Sequence, residues 1–129
     1  QVVTVRCHED NSLVKQILES EAGQGRVLLV DGAGSVNRAL MGGSIAAAAA
    51  RNGWAGVVVF GAVRDVAELR CTSLGIRALA LVPMPTTRAG QGQRDVPVNL
   101  RTCIVRPGEW LYADADGIVV SDRPLLAIS

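Results

Sequence analysis

The stretch ALMGGSIAAAAARNGWAGVVVFGAVRDVAELR, residues Ala39 to Arg70, decides the fold of this chain. Its first part is rich in alanine and predicts a helix, and Gly53 after it suits a left-handed helix end. Val57 to Phe60 is short, wholly apolar and rich in β-branched residues, so it predicts a strand covered on both faces. Arg64 and Asp65 come just past this strand. Because open α/β sheets usually bind ligands at the carboxyl ends of their strands, this pair is the first indication of function.

The rest of the sequence predicts alternating strands and helices in the front half and mostly strands in the back half. Asn11 or Ser12 can cap a helix over SLVKQILES. Thr86 to Arg94 is polar and predicts a flexible loop that could fold over a site. The remaining predicted elements are strands at Val2–Arg6, Val27–Val30, Ile76–Val82, Val96–Leu100, Thr102–Val105, Glu109–Ala113 and Ile118–Ser121, and a short helical turn at Val66–Arg70. Together they predict a single α/β domain over residues 1–129.

A glycine-rich turn, Asp31-Gly32-Ala33-Gly34-Ser35, connects a predicted strand to the central helix. Turns of this kind can bind anions through their backbone N–H groups. This one contains neither the Lys-Ser/Thr of a P-loop nor a complete dinucleotide-binding fingerprint. Close packing of strand against helix is therefore favoured over phosphate binding. Asp31 is either a turn residue or a support for a nearby site.

The composition excludes several classes of function. A length of 129 residues suffices for one core, and a charged fraction of only 19% indicates that other subunits cover part of the surface. The net charge of +1 and the aromatic content of 3% argue against direct nucleic-acid binding. No apolar run approaches the roughly 20 residues of a membrane span. The three cysteines are widely spaced in no metal-ligand pattern, so they predict reduced thiols in a cytoplasmic protein.

Gly43, Arg64, Asp65 and Glu68 form a spaced motif, with twenty residues between the first two and two between the last two. This G-x20-R-D-x2-E pattern resembles the RraA family, which includes proteins related to 4-hydroxy-4-methyl-2-oxoglutarate aldolases. The segments VDGAGSVNRAL, GAVRDVAEL and RPGEWLYADADGIVVSD resemble the family in the same order. The resemblance implies a swivelling β/β/α-type domain with a mixed sheet and flanking helices. It also implies a short segment before Gln1 and a homotrimer or hexamer with its site near a subunit boundary.

The resemblance assigns roles to the residues of this motif. It implies that Asp65 binds a divalent cation such as Mg²⁺, that Glu68 assists through a water molecule, and that Arg64 grips the carboxylate of the substrate. From the residues alone, the acids could equally be a solvated helix start, and Arg64 could pair with Glu68, Glu19 or Glu21. Close helix packing is nearly as good an explanation for the glycines as close approach of a ligand. The backbone that the resemblance implies for substrate binding is Gly42, Gly43, Ser44 and Ile45.

These parts suit a metal-dependent lyase that acts on 2-keto acids through a pyruvate enolate. Aldolases of this group resemble D-x20-R-D, and here Gly43 stands in place of the first acid. Because aldol cleavage needs a base and decarboxylation does not, oxaloacetate decarboxylation ranks above aldol cleavage. The alternative from the same resemblance is a protein regulator that binds and inhibits ribonuclease E. Family members have also been labelled menaquinone-pathway methyltransferases, but this sequence has no convincing S-adenosylmethionine loop.

Overall fold

The computed structural model describes residues 1–125 and shows a mixed sheet with flanking helices, as expected. The helices are α1 (Ser12–Ser20), α2 (Gly43–Arg51) and α3 (Val66–Arg70). The strands are β1 (Val2–Arg6), β2 (Val27–Asp31), β3 (Ala39–Met41), β4 (Gly56–Val63), β5 (Gly75–Leu81), β6 (Gln93–Arg94), β7 (Val98–Asn99), β8 (Ile104–Val105), β9 (Trp110–Ala113) and β10 (Ile118–Ser121). Within residues 1–125, no helix has both the length and the apolar character needed to cross a membrane.

Strand β4 is the centre of a six-stranded sheet. On one edge it pairs in parallel with β5, and on the other it pairs with β2 through residues 56–60 and with β3 through residues 62–63. Strand β1 lies beyond β2 in parallel register, with Val5 opposite Val30, and β6 closes that side as the antiparallel strand. Because β1, β2 and β4 run parallel, their carboxyl ends lie at the same end of the sheet. The residues that follow these three strands are therefore all at that end.

Both faces of the sheet are covered, which explains the uninterrupted apolar sequence of β4. Val57, Val59 and Val63 face the main core, which contains the buried residues of α1 and α2. On the opposite face Val58 packs beside Val98 and the other members of a smaller cluster, and the short hairpins β7–β8 and β9–β10 cover it. The prediction of a strand covered on both faces is confirmed.

The predicted helical start at Ala39 is wrong. Residues Ala39 to Met41 are buried and form β3. This strand pairs with the last residues of β4, beyond the point where β2 ends. The helix begins only at Gly43, after Gly42 has turned the chain in an extended conformation. Helix propensity is a weak preference, and here strand pairing of a buried segment overrides it. Gly53 follows the helix with φ of +83°, as expected.

The N-cap residue of α1 is Asn11, one of the two predicted positions, but the predicted side-chain cap does not form. Neither Asn11 nor Ser12 caps the helix with its side chain; the Ser12 N–H instead donates to Asp10 Oδ1 at 2.9 Å. The Asn11 side chain is buried and donates to the Leu40 carbonyl. Asp10 lies one residue before the predicted cap positions. That it accepts the hydrogen bond from Ser12 depends on how the chain turns after β1.

The predicted loop over Thr86 to Arg94 ends in a strand, because Gln93 and Arg94 pair with β1 as β6. The predicted strands on either side of Arg101 shorten to two residues each in β7 and β8. The turn after β2 packs closely, but its near neighbours are in strands β3 and β4 and not, as predicted, in the helix. A Cβ atom on Gly32 would lie 2.6 Å from Leu40 Cδ1 and 2.9 Å from the Phe60 carbonyl oxygen.

Candidate functional site

Arg64 and Asp65 follow β4 directly, at the carboxyl end of the sheet. Asp65 adopts the left-handed conformation, with φ of 65° and ψ of 49°, and this turns the chain into α3. Its Oδ2 accepts a 2.9 Å hydrogen bond from the Gly43 N–H and lies 4.0 Å from Arg64 Nη1. Both side chains keep about a third of their surface exposed, at 39% for Arg64 and 34% for Asp65. The pair is therefore close together and still accessible.

The start of α2 approaches this pair because residues 42 and 43 are glycines. A Cβ atom on Gly42 would lie 2.6 Å from Asp65 Oδ2 and 3.0 Å from Arg64 Nε, so a side chain there would displace both groups. The N–H groups of Ser44 and Ile45 have no acceptor within residues 1–125, as expected for the first turn of a helix. Free N–H groups and the positive end of the helix dipole favour a bound anion here.

The carboxylate of Glu68 reaches the same glycine from α3. A Cβ atom on Gly43 would lie only 1.8 Å from Glu68 Oε2. Glu68 therefore occupies the space in which a side chain at position 43 would begin. Asp65 and Glu68 are thus brought together against Gly43, and an acid is present beside position 43 although residue 43 itself has no side chain.

In the described part of the chain, Arg64 forms no salt bridge with Glu19, Glu21 or Glu68, the partners considered from the sequence. Glu19 accepts from Lys15 Nζ at 2.6 Å, and Glu21 pairs with both terminal nitrogens of Arg94. The bonds from Arg94 hold the pKa of Glu21 below its usual value. In the described part of the chain, Asp65 is the only acid within 4.0 Å of the Arg64 guanidinium.

A cleft of about 260 Å³ opens beside the start of α2. Its lining includes Gly42, Ser44 and Arg64, together with Lys15 and Arg88. Sequence reasoning did not identify Lys15 or Arg88 as site residues. Only the polar loop around Arg88, which was predicted to be able to fold over a site, could have pointed to one of them.

Asp10 fixes the loop that carries Arg88. Its carboxylate accepts hydrogen bonds from the N–H groups of Ala89 and Gln91 and from both donors of Ser12. Burial alone would raise the pKa of Asp10, but these hydrogen bonds outweigh it and lower the pKa to about 2. At neutral pH the carboxylate is therefore charged and holds the loop against the start of α1.

A second pocket of about 220 Å³ also borders the pair and is lined by Arg64, Asp65, Val66 and Leu81 among others. Val66 and Leu81 also line a groove of about 630 Å³ between α3 and β5. The Arg64–Asp65 pair thus connects a polar cleft to a larger, partly apolar groove at the edge of the sheet.

Asp65 and Glu68 offer only oxygen donors, which suits a hard divalent cation. Residues 1–125 contain no cluster of three or more His, Cys, Asp or Glu side chains able to hold a metal ion. A two-carboxylate arrangement still fits Mg²⁺, because this ion keeps several water ligands and needs only one or two carboxylates. The site can thus combine a cation with a guanidinium and free backbone N–H groups.

Comparisons with known proteins show which family the chain resembles in sequence and fold. The family model described as RraA-like, Aldolase/RraA, matches residues 1–120. A protein of Albidiferax ferrireducens named "Putative 4-hydroxy-4-methyl-2-oxoglutarate aldolase" is 57% identical over 93% of this chain and 73% of its own length. The solved structure of the RNA-processing inhibitor RraA from Thermus thermophilis has a TM-score of 0.94 and 47% identity, over 98% of this chain and 77% of that one. The structure of S-adenosylmethionine:2-dimethylmenaquinone methyltransferase from Geobacillus kaustophilus has a TM-score of 0.94 and 41% identity, over 99% of this chain and 79% of that one.

Proposed function

This chain belongs to the RraA-like family, and on that premise we propose that it is a divalent-metal-dependent lyase that cleaves small 2-keto acids through a pyruvate enolate. The observation that carries the proposal is the meeting of Arg64, Asp65 and the start of α2 beside an open cleft. The names of the curated relatives support a lyase. Metal dependence, the preferred reaction and the roles of individual residues are our proposals.

In this proposal Asp65 holds a divalent cation such as Mg²⁺, and Glu68 supports it through a water molecule. When bound there, the cation would stabilise the negative charge that develops as the C3–C4 bond of the substrate breaks. The Gly43 N–H keeps the Asp65 carboxylate in place through the 2.9 Å hydrogen bond. Because Gly42 and Gly43 have no side chains, both carboxylates can sit directly against the helix start.

Arg64 and the helix start bind the substrate. The Arg64 guanidinium is a planar fork that matches a carboxylate, and its charge also favours the enolate. The N–H groups of Ser44 and Ile45 can donate to the same anionic end of the substrate. The N–H groups of Ser44 and Ile45 are held by α2 before the substrate arrives, so they need little reorganisation during the reaction.

Decarboxylation of oxaloacetate asks less of this site than aldol cleavage does. In decarboxylation the C3–C4 bond breaks as CO₂ leaves, and its electron pair forms the enolate. Aldol cleavage also requires a base that removes the proton of the C4 hydroxyl. Glu68 is the candidate base, because its carboxylate lies where an acid at position 43 would start. We therefore propose oxaloacetate decarboxylation as the more efficient activity and 4-hydroxy-4-methyl-2-oxoglutarate cleavage as the slower one.

A pyruvate-release assay tests the lyase proposal. The purified protein is incubated with oxaloacetate or 4-hydroxy-4-methyl-2-oxoglutarate, with Mg²⁺ or with excess EDTA, and pyruvate is measured by a coupled enzyme. We expect release that requires Mg²⁺ and that falls to background in Asp65→Ala. Rates in the presence of Mg²⁺ no higher than those of Asp65→Ala would discard the lyase proposal.

The second candidate function is regulation of ribonuclease E by direct protein binding. It is favoured by the 47% identity to a protein described as an RNA-processing inhibitor. The two functions are compatible, because a binding surface need not include the cleft. Addition of the purified protein to a ribonuclease E cleavage reaction should slow cleavage if this proposal holds. An unchanged cleavage rate at a large molar excess of the protein would exclude it.

We also propose that the chain assembles as a homotrimer or hexamer in the cytoplasm. Among residues 1–125, no strand pairs with the outer edge of β5. Leu79 and Leu81 on this strand are 50% and 57% exposed, and Met84 just after it is 52% exposed. An unpaired edge with exposed apolar side chains is a typical surface for association. Since Leu81 also lines the pocket at Arg64, a neighbouring subunit at this edge would border the site.

A further inference from the structure

The cleft extends beyond Arg64 to a second arginine, Arg88, on the loop that follows β5. We propose that Arg88 binds the distal carboxylate of a dicarboxylic 2-keto acid and so selects the substrate over the monocarboxylic product. Asn11 acts as the positioning residue for Arg88. This inference rests on the proposed function, since it assumes that the keto-acid end of the ligand is bound at Arg64.

The first support is the way in which Asn11 holds Arg88. Asn11 is 5% exposed, and its Oδ1 accepts hydrogen bonds from Arg88 Nε at 3.2 Å and from Thr86 Oγ1 at 2.9 Å. Its Nδ2 donates to the Leu40 carbonyl at 3.1 Å, which fixes the orientation of the amide. Only the Nε donor of Arg88 is used in this way. The two terminal nitrogens make no hydrogen bond within residues 1–125, so both can donate to a carboxylate.

The second support is the anchoring of the loop on both sides of Arg88. Thr86 is tied to Asn11, while the N–H groups of Ala89 and Gln91 donate to Asp10. The Gly90 N–H donates to Ser12 Oγ at 3.0 Å. An exposed arginine on a free loop would have to be ordered when a ligand binds. Here the backbone is already ordered, which reduces the entropy lost on binding.

The third support is the balance of charge in the cleft. Its side chains include three cations, at Lys15, Arg64 and Arg88, and one carboxylate, at Glu19. Lys15 and Glu19 neutralise each other through their 2.6 Å contact. Arg64 and Arg88 remain without an acid of the cleft as partner. Within residues 1–125 Arg88 has no acid partner, and Arg64 makes only its 4.0 Å contact with Asp65 and no side-chain hydrogen bond. Two guanidinium groups with free donors suit a ligand with two carboxylates, and they suit pyruvate, which has one carboxylate, less well.

This arrangement has a consequence for turnover. Oxaloacetate and 4-hydroxy-4-methyl-2-oxoglutarate both carry a carboxylate at each end, and both reactions leave pyruvate at the Arg64 end. The contact with Arg88 is lost when the distal part departs as CO₂ or as the second keto acid. Pyruvate is then held by fewer contacts than the substrate, so its release is favoured.

Calorimetric titration with a matched pair of ligands tests the inference. The ligands are 2-oxoglutarate and 2-oxobutyrate, and neither carries the β-carboxylate needed for decarboxylation. Both have the same keto-acid end, but only 2-oxoglutarate has a distal carboxylate. In the presence of Mg²⁺, Arg88→Gln should weaken binding of 2-oxoglutarate about tenfold to hundredfold and change that of 2-oxobutyrate less than twofold. Arg64→Gln should weaken both ligands. Arg51→Gln, at the opposite end of α2, is the matched control and should change neither.

A second set of variants tests the role of Asn11. Asn11→Ala should lower the preference for 2-oxoglutarate in the same way as Arg88→Gln, while leaving 2-oxobutyrate binding unchanged. If Asn11→Ala does not fold, Arg88→Lys tests the same contact. This variant keeps the charge but lacks the Nε donor to Asn11, and it should give a preference for 2-oxoglutarate between those of the wild type and Arg88→Gln. The inference is overturned if Arg88→Gln weakens both ligands equally, weakens neither, or if the wild-type protein shows no preference for 2-oxoglutarate. Absence of pyruvate release with this preference intact would instead overturn only the lyase proposal.

Discussion

Asp65 has two roles that a single substitution can separate. Its carboxylate accepts the hydrogen bond from Gly43 and, in our proposal, holds the cation. Its left-handed backbone conformation is one that Asp and Asn tolerate better than most residues do. A conservative change to Asn therefore keeps both the acceptor and the backbone, and removes only the charge.

We expect Asp65→Asn to lower Mg²⁺-dependent pyruvate release at least about 100-fold while changing the free energy of unfolding by less than about 1 kcal/mol. Asp65→Ala should lower activity similarly, but it should also lower the free energy of unfolding by about 1 to 2 kcal/mol. It removes the acceptor for the Gly43 N–H and places alanine at positive φ. Urea unfolding and the pyruvate assay measure the two effects. Equal activity of Asp65→Asn and the wild type would argue against Asp65 as a metal ligand.

At the scale of elements, the start of α1 and the loop after β5 depend on one buried carboxylate. Asp10 is 3% exposed and accepts bonds from Ser12, Ala89 and Gln91. Its folded-state pKa of about 2 lies below the ordinary value of 3.8. The stability that it contributes is therefore complete above about pH 4 and is lost as the pH falls toward 2.

We expect Asp10→Asn to lower the free energy of unfolding at pH 7 by about 1 to 2 kcal/mol, allowing for solvent near the loop. The variant should also lose less stability than the wild type between pH 4 and pH 2, because it lacks the group that titrates there. Urea unfolding at a series of pH values measures both effects. Asp116→Asn, in the exposed turn between β9 and β10, is the control and should match the wild type. Parallel pH curves for Asp10→Asn and the wild type would contradict this account.

At the scale of the whole molecule, the edge of β5 is the surface on which the proposed assembly depends. Its exposed leucines lie next to the groove that leads to Arg64 and Asp65. Burial of an apolar edge between subunits would also explain the low charged fraction of the chain, 19%. In the proposed assembly the interface would therefore lie next to the site.

We expect the wild-type protein to sediment as a trimer or hexamer and Leu79→Glu to sediment as a monomer, because a charge at a buried interface is costly. Leu79 is half exposed in the single chain, so the substitution should leave the fold intact. Val36→Glu, at a residue of similar exposure in the loop between β2 and β3, is the control and should keep the wild-type mass. A monomeric wild type, or an unchanged mass for Leu79→Glu, would contradict the proposed interface.

Most elements of the fold could be predicted from local patterns. The apolar runs of β1, β2 and β4 and the amphipathic pattern of α1 depend on neighbouring residues alone, and they were predicted within a few residues. Residues 39–41 were predicted incorrectly because their strand pairs with β4, some twenty residues later in the chain. Helix propensity contains no information about such a partner.

The chain by itself determined which chemical groups are available: the Arg64–Asp65 pair after a buried strand, the glycines at the start of α2, and Glu68 three residues beyond Asp65. Only the tertiary structure decided which of them meet. Glu68 fills the space at Gly43, and Asn11 and Asp10 bring Arg88 to the cleft from 77 and 78 residues away. The physical reason is that spacing along a chain predicts contacts within one element, whereas contacts between elements depend on how the sheet and its helices pack.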